Sequence, residues 1–234
     1  LAVLQAAGFF ATFPIPPEAY QSDLVFALPP GIEGNKVRRS DSWEDVSPRF
    51  VIDYEIQPDV MVFGSLAKGY KAGGYNSVEV GSQFDNEDVW NVEAGVKSVF
   101  ARVGLAFNAS AYYYEYDDQQ SIALVPGENG SGVPQYLMDT SDVEAFGIDA
   151  ELRWQPYDAV TLYANVAFID ATYDDKVAPD GTDLSGEPTG EPYLSAALGA
   201  SYVWLLGPNG LVDLSTQFGY RGEGWGLTFD GSEL

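Results

Sequence analysis

No cysteine and no histidine occur in these 234 residues. Without cysteine there is no disulfide framework and no thiolate chemistry. Without histidine the commonest general base and the commonest metal ligand are both missing. Basic residues are scarce: 11 Lys and Arg stand against 35 Asp and Glu, a net charge of −24. Phosphate backbones need a basic surface, so nucleic acid is excluded as a partner. No apolar run approaches the roughly 20 residues that a membrane helix requires. That absence does not touch membrane strands, which cross on about 9–11 residues with every second side chain facing water. A mean hydropathy of −0.11 is what such averaging produces.

What is present suits strands. Tyr (15), Phe (13) and Gly (25) are abundant, a mix that favours pleated structure and tight turns over helices. Residues 1–45 are broken by Pro14, Pro16, Pro17, Pro29 and Pro30 and read as an irregular, loop-like segment. From 46 to 234 the chain repeats one unit, a run of alternating apolar and polar residues followed by a reversal. Phe146, Ile148, Ala150, Leu152 and Trp154 share one face of such a run, while Gly147, Asp149, Glu151 and Arg153 share the other. Eight runs are expected, beginning near residues 48, 60, 89, 103, 146, 160, 194 and 212. Short reversals fall at 57–59, near 101, at 155–158 and at 206–210. Long loops are expected at 71–88, 117–141 and 173–192. Aromatic residues gather at run ends (Trp90, Trp154, Trp204, Tyr220 and the Tyr112-Tyr113-Tyr114 cluster), as interfacial girdles do. The fold class expected is all-β: an antiparallel, up-and-down transmembrane β-barrel wall of about eight long strands.

Several phrases resemble one family. Asp45-Val46-Ser47-Pro48-Arg49, Ala67-Lys68-Gly69-Tyr70-Lys71-Ala72-Gly73-Gly74-Tyr75-Asn76, Asn91-Val92-Glu93-Ala94-Gly95-Val96-Lys97-Ser98 and Gly147-Ile148-Asp149-Ala150-Glu151-Leu152 are similar to the C-terminal barrel of TonB-dependent receptors. The resemblance covers about Ser40 to Arg221. It implies an incomplete part of a 22-stranded barrel in the outer membrane of a Gram-negative bacterium. It also implies uptake of a scarce nutrient, such as an iron–siderophore complex. The partners implied are outer-membrane lipid, a small nutrient ligand, and the TonB system acting through a plug and TonB box that this chain does not show.

No catalytic residue, metal site or cofactor is expected: without His or Cys only carboxylate pairs remain, pairs such as Asp174-Asp175 are adjacent on loops, and adjacent acids on a strand would point to opposite sides. Ligand contact is assigned to loop residues Tyr75, Asn76, Tyr136 and Trp225. Two other readings fit the alternation alone: a complete eight-stranded structural barrel, and a soluble β-sandwich that binds glycans.

Overall fold

The computed structural model describes residues 38–76, 82–125, 135–178, 181–208 and 210–224. Residues 38–48 carry neither helix nor strand. Ten strands follow: β1 (Arg49–Gln57), β2 (Val60–Lys71), β3 (Gly74–Tyr75), β4 (Gln83–Phe84), β5 (Glu87–Phe100), β6 (Leu105–Val125), β7 (Gln135–Tyr157), β8 (Val160–Asp175), β9 (Leu194–Leu205) and β10 (Leu211–Arg221). Eight of them form one sheet in the order β1-β2-β5-β6-β7-β8-β9-β10, while β3 and β4 pair separately. Each resolved pairing between sheet neighbours is antiparallel. All eight expected runs are therefore strands, joined in chain order as an up-and-down wall. β1 and β10 stand at its two edges, and no described pairing joins them, so the sheet is open. The complete eight-stranded barrel is not what these strands make.

By compactness the chain divides into two units. One comprises Glu44–Ala72, Asn86–Gln119 and Ser141–Leu234; the other comprises Leu1–Trp43, Gly73–Asp85 and Gln120–Thr140.

Register fixes the two faces of the wall. In the first unit, Phe50, Ile52 and Tyr54 of β1 lie opposite Leu66, Gly64 and Val62 of β2. Ile148 lies opposite Phe168, Ala164 opposite Leu198, and Leu198 opposite Phe218. This outward face is apolar and open: Ile52 is 74% exposed, Phe218 63% and Leu198 49%. Moving one such side chain from water into hydrocarbon is worth about 1.5–3 kcal/mol, so the face demands an apolar medium. Among the described residues the buried apolar side chains are Val143, Ala145 and Ala171. A soluble sandwich would bury one face of its strands in a packed core; this sheet has no such core, and that reading falls.

Three boundaries differ from expectation. The reversal after β5 is a 3-10 turn, Ala101–Val103, closed by Gly104 at φ 64°. Gly104, expected inside the fourth run, is the turn itself: its N–H donates to the Ala101 carbonyl at 3.3 Å, and its own carbonyl accepts from Gln155 N at 2.8 Å. A Cβ there would strike the Gln155 carbonyl oxygen, and left-handed backbone already favours glycine. Second, the loop expected at 117–141 is shorter, because β6 runs on to Val125 and β7 begins at Gln135. The extension opens on Asp117-Asp118-Gln119-Gln120, polar at every position, so the alternation of the wall does not carry into it. β6 crosses an irregularity at Asp118 (φ 52°), whose N–H donates to Asp142 Oδ1 at 2.9 Å. The β7–β8 register shifts at the same place, between Asp142 and Val143.

Third, the connection after β8 is not free. Tyr173 N donates to Glu187 O at 3.0 Å, Thr189 N to Ala171 O at 3.0 Å, and Ile169 N to Tyr193 O at 3.0 Å. The segment leading to β9 thus runs back along the edge of β8 beyond Phe168, where β9 has not yet begun to pair.

Candidate functional site: the inner face of the wall

The face opposite the apolar one is polar and concave enough to hold an open trough of about 1120 Å³. Every strand of the sheet except β10 contributes to it. Arg49 and Asp53 come from β1, Phe63 and Ser65 from β2, Glu93 and Lys97 from β5, and Asn108 and Ser110 from β6. Asp149 and Glu151 of β7, Asn165 of β8 and Ser195 of β9 complete it. The apolar run Val60-Met61-Val62-Phe63 has its explanation here. Val60 and Val62 belong to the outward series, while Phe63 faces inward and carries Lys97 Nζ over its ring at 5.0 Å from the centroid. A cation over an aromatic face is attracted by the ring quadrupole, so an inward Phe is compatible with a wet interior. Across the trough, Asn108 Nδ2 donates to Glu151 Oε2 at 3.4 Å.

Aromatic residues split by the parity of their position. Tyr113 faces outward, opposite Val92, and its hydroxyl donates to Glu144 Oε2 at 2.9 Å. Trp154 faces outward near the short turns, its Nε1 donating to the Val103 carbonyl at 3.2 Å. Tyr112, as the alternation through Ala106, Asn108 and Ser110 predicts, faces inward opposite Glu93, and Tyr114, grouped with Tyr113 among the girdle aromatics, faces inward opposite Asn91. Tyr116 continues their column, opposite Val89. The Tyr112 ring lies against Gly147 of β7, and the Tyr163 ring against Gly199 of β9; a Cβ on either glycine would overlap the hydroxyl end of the ring. Small inward residues thus make room for large ones on the next strand.

At the other end of β1, Lys68 Nζ lies between two carboxylates, 2.6 Å from Asp45 Oδ2 and 3.3 Å from Asp88 Oδ1. Lys68 N also donates to the Pro48 carbonyl at 2.9 Å. The segment before β1 is thereby fastened to β2 and β5. The hydrogen bond from Lys68 holds the Asp45 carboxyl at about 2, below the usual aspartate value.

The loop residues expected to meet ligand are placed as follows. Tyr75 closes β3, and its ring meets Trp43 edge-on at 5.7 Å. Asn76 follows it and uses both ends of its amide: Nδ2 donates to Ser82 Oγ at 3.0 Å, and Oδ1 accepts from Met138 N at 2.8 Å. Tyr136 is the second residue of β7, two positions before Met138; its side chain lies outside the described part. Trp225 lies outside the described residues. Asn76 and the start of β7 are therefore brought together. Among the described residues no three acidic side chains converge as a metal-ligand set would.

The family model described as "TonB dependent receptor-like, beta-barrel" matches residues 21–232. This chain belongs to that family. TonB-dependent receptors are Gram-negative outer-membrane proteins and transporters, not enzymes, so the exposed apolar face of the wall is the face that meets lipid. Among curated proteins, the chain is 26% identical over 191 residues to the metal-pseudopaline receptor CntO of Pseudomonas aeruginosa, covering 80% of this chain. It spans 25% of that receptor's length. Among solved structures it resembles the ferric yersiniabactin uptake receptor FyuA of Yersinia pestis, with a TM-score of 0.58 and 19% identity. That match covers 74% of this chain and 25% of FyuA. The ferric preacinetobactin receptor BauA of Acinetobacter baumannii gives a TM-score of 0.55 at 19% identity, over 75% of this chain and 25% of BauA. These structural likenesses show the fold. The eight strands are thus a stretch of receptor wall, with the trough on its lumenal side.

Proposed function

We propose that this stretch of wall serves a receptor that takes up a metal held by a small organic chelator, as an iron–siderophore complex is held, with the TonB system supplying the energy. The observation that carries the reading is the similarity to the metal-pseudopaline receptor over four-fifths of the chain. The two-faced wall supports it, because a polar trough behind a lipid-facing surface is what a solute path through a membrane needs. In this reading a plug fills the lumen and engages TonB. Tyr75, Asn76, Tyr136 and Trp225 are the residues assigned to ligand contact in this reading. The chain's part is to bind and to conduct, with no bond made or broken.

The test is deletion of the gene in its own host, grown with metal withheld by a strong chelator. Accumulation of iron, zinc, nickel and cobalt, each supplied with a panel of chelators including pseudopaline, is then measured. The expected result is loss of uptake for one chelate, restored by the intact gene and not by one lacking its TonB box. Unchanged accumulation across the panel would overturn the reading.

A further inference from the structure

Tyr112, Tyr114 and Tyr116 hold three successive inward positions on β6. The first two rings are parallel at 6.2 Å, and the third is turned by 84° at 5.3 Å. All three are half-buried, so part of each side chain stays open. Their neighbours are acidic. Asp149 acts electrostatically on Tyr112, Glu87 on Tyr116, and Glu191 on all three. Glu191 reaches them because the segment from Glu187 to Tyr193 is bonded along β8, which fixes its position.

The lysines of β2 and β5 are already engaged. Lys71 Nζ is 3.3 Å from Glu87 Oε2, Lys97 lies over Phe63, and Lys68 sits between Asp45 and Asp88. A stack of ring faces attracts positive charge through its quadrupole, and carboxylates beside it add to the attraction. An anionic ligand finds the opposite.

We propose that the column Tyr112–Tyr114–Tyr116, with Glu191 and Asp149 beside it, is a subsite for a cationic part of the ligand. This rests on the receptor reading and narrows it. The chelate carries an ammonium, a guanidinium or a net positive charge where it passes β6, and a polyanionic chelate is disfavoured there.

The test uses the whole receptor, purified in detergent at physiological salt. Phenyltrimethylammonium is titrated onto it, with benzenesulfonate as an anion of similar size, and binding is read by saturation-transfer NMR. The cation is expected to bind at least tenfold more tightly than the sulfonate. Glu191→Gln and Tyr114→Leu should each weaken the cation by about threefold to thirtyfold, whereas Tyr114→Phe keeps the ring and the affinity. Heat-modifiable migration on gels confirms that each variant is folded; Glu191→Gln, in an exposed connection, carries the test if Tyr114→Leu does not fold. Equal binding of both probes, or cation binding unmoved by Glu191→Gln, would overturn the subsite. Chelate uptake by cells whose receptor shows no cation preference sinks the subsite and leaves the receptor reading standing. Cation binding intact with no chelate taken up does the reverse.

Discussion

Leu198 and Asn165 sit side by side in the wall but on opposite faces, and arginine at each separates lipid from water. Leu198 is outward on β9 between Ala164 and Phe218; Asn165 is inward on β8, paired with Ala197 and Glu151. The ten residue steps from Leu194 to Trp204 rise about 3.4 Å each and, tilted by about 40°, span about 26 Å, matching an apolar band about 25 Å tall. Leu198 lies near the middle of that span. Arginine on the lipid side near the midplane costs about 2–4 kcal/mol, which lowers the folding equilibrium about 30- to 700-fold. Arginine at 165 projects into the trough beside Glu151, where an accessible ion pair changes stability by at most about 1 kcal/mol. The assay is urea titration of the receptor refolded into lipid vesicles, followed by tryptophan fluorescence and by heat-modifiable gel migration. If Asn165→Arg costs as much as Leu198→Arg, the assignment of faces is wrong.

Three further outcomes follow from the contacts. Gly147→Val drives side-chain atoms into the hydroxyl end of the Tyr112 ring and should cost about 1–3 kcal/mol in the same titration, most of it recovered when Tyr112→Ala is added. Asn76→Ala removes the acceptor for Met138 N and the donor to Ser82, each bond worth about 1 kcal/mol, so the Met138 amide should exchange about fivefold or more faster with deuterium. For Asp45, the folded-state value lies below the unfolded one; its pairing with Lys68 is therefore fully formed above about pH 4 and is lost as pH falls through about 2. The carbonyl ¹³C shift of labelled Asp45 should titrate near 2; a midpoint near 4 would show that the pair does not form.

The wall was legible because lipid outside and water inside force strict alternation, and a slip of one residue exchanges every side chain between the two. Phe146 through Trp154 declares its faces without help from any other strand. Legibility stopped where that constraint stops. Asp117 to Gln120 is polar at every position, so the alternation stops there although β6 runs on to Val125. Gly104 was ambiguous because glycine serves both an inward wall position and a left-handed turn, and only the Gln155 contact decides between them. Tyr112 and Tyr114 were recoverable from parity alone. Glu191 was not, since its place beside them depends on a connection that folds back along β8, a tertiary event with no local signature.

The paired irregularity at Asp118 and Asp142 has a consequence for how this receptor can change over generations. A residue inserted or deleted within β6 after Asp118, or within β7 before Asp142, shifts that strand's pairing by one step, and in an uninterrupted ladder the step would turn the side chains beyond it to the other face. Here β6 carries a left-handed residue at Asp118, the β7–β8 ladder shifts register at Asp142, and the Asp118 amide is held by the Asp142 carboxylate, so irregular backbone on both strands can absorb the slip before it reaches Phe146 or Tyr113. The length of β6 beyond Asp118 and of β7 before Asp142 is thus released to vary, while the membrane register below is inherited unchanged.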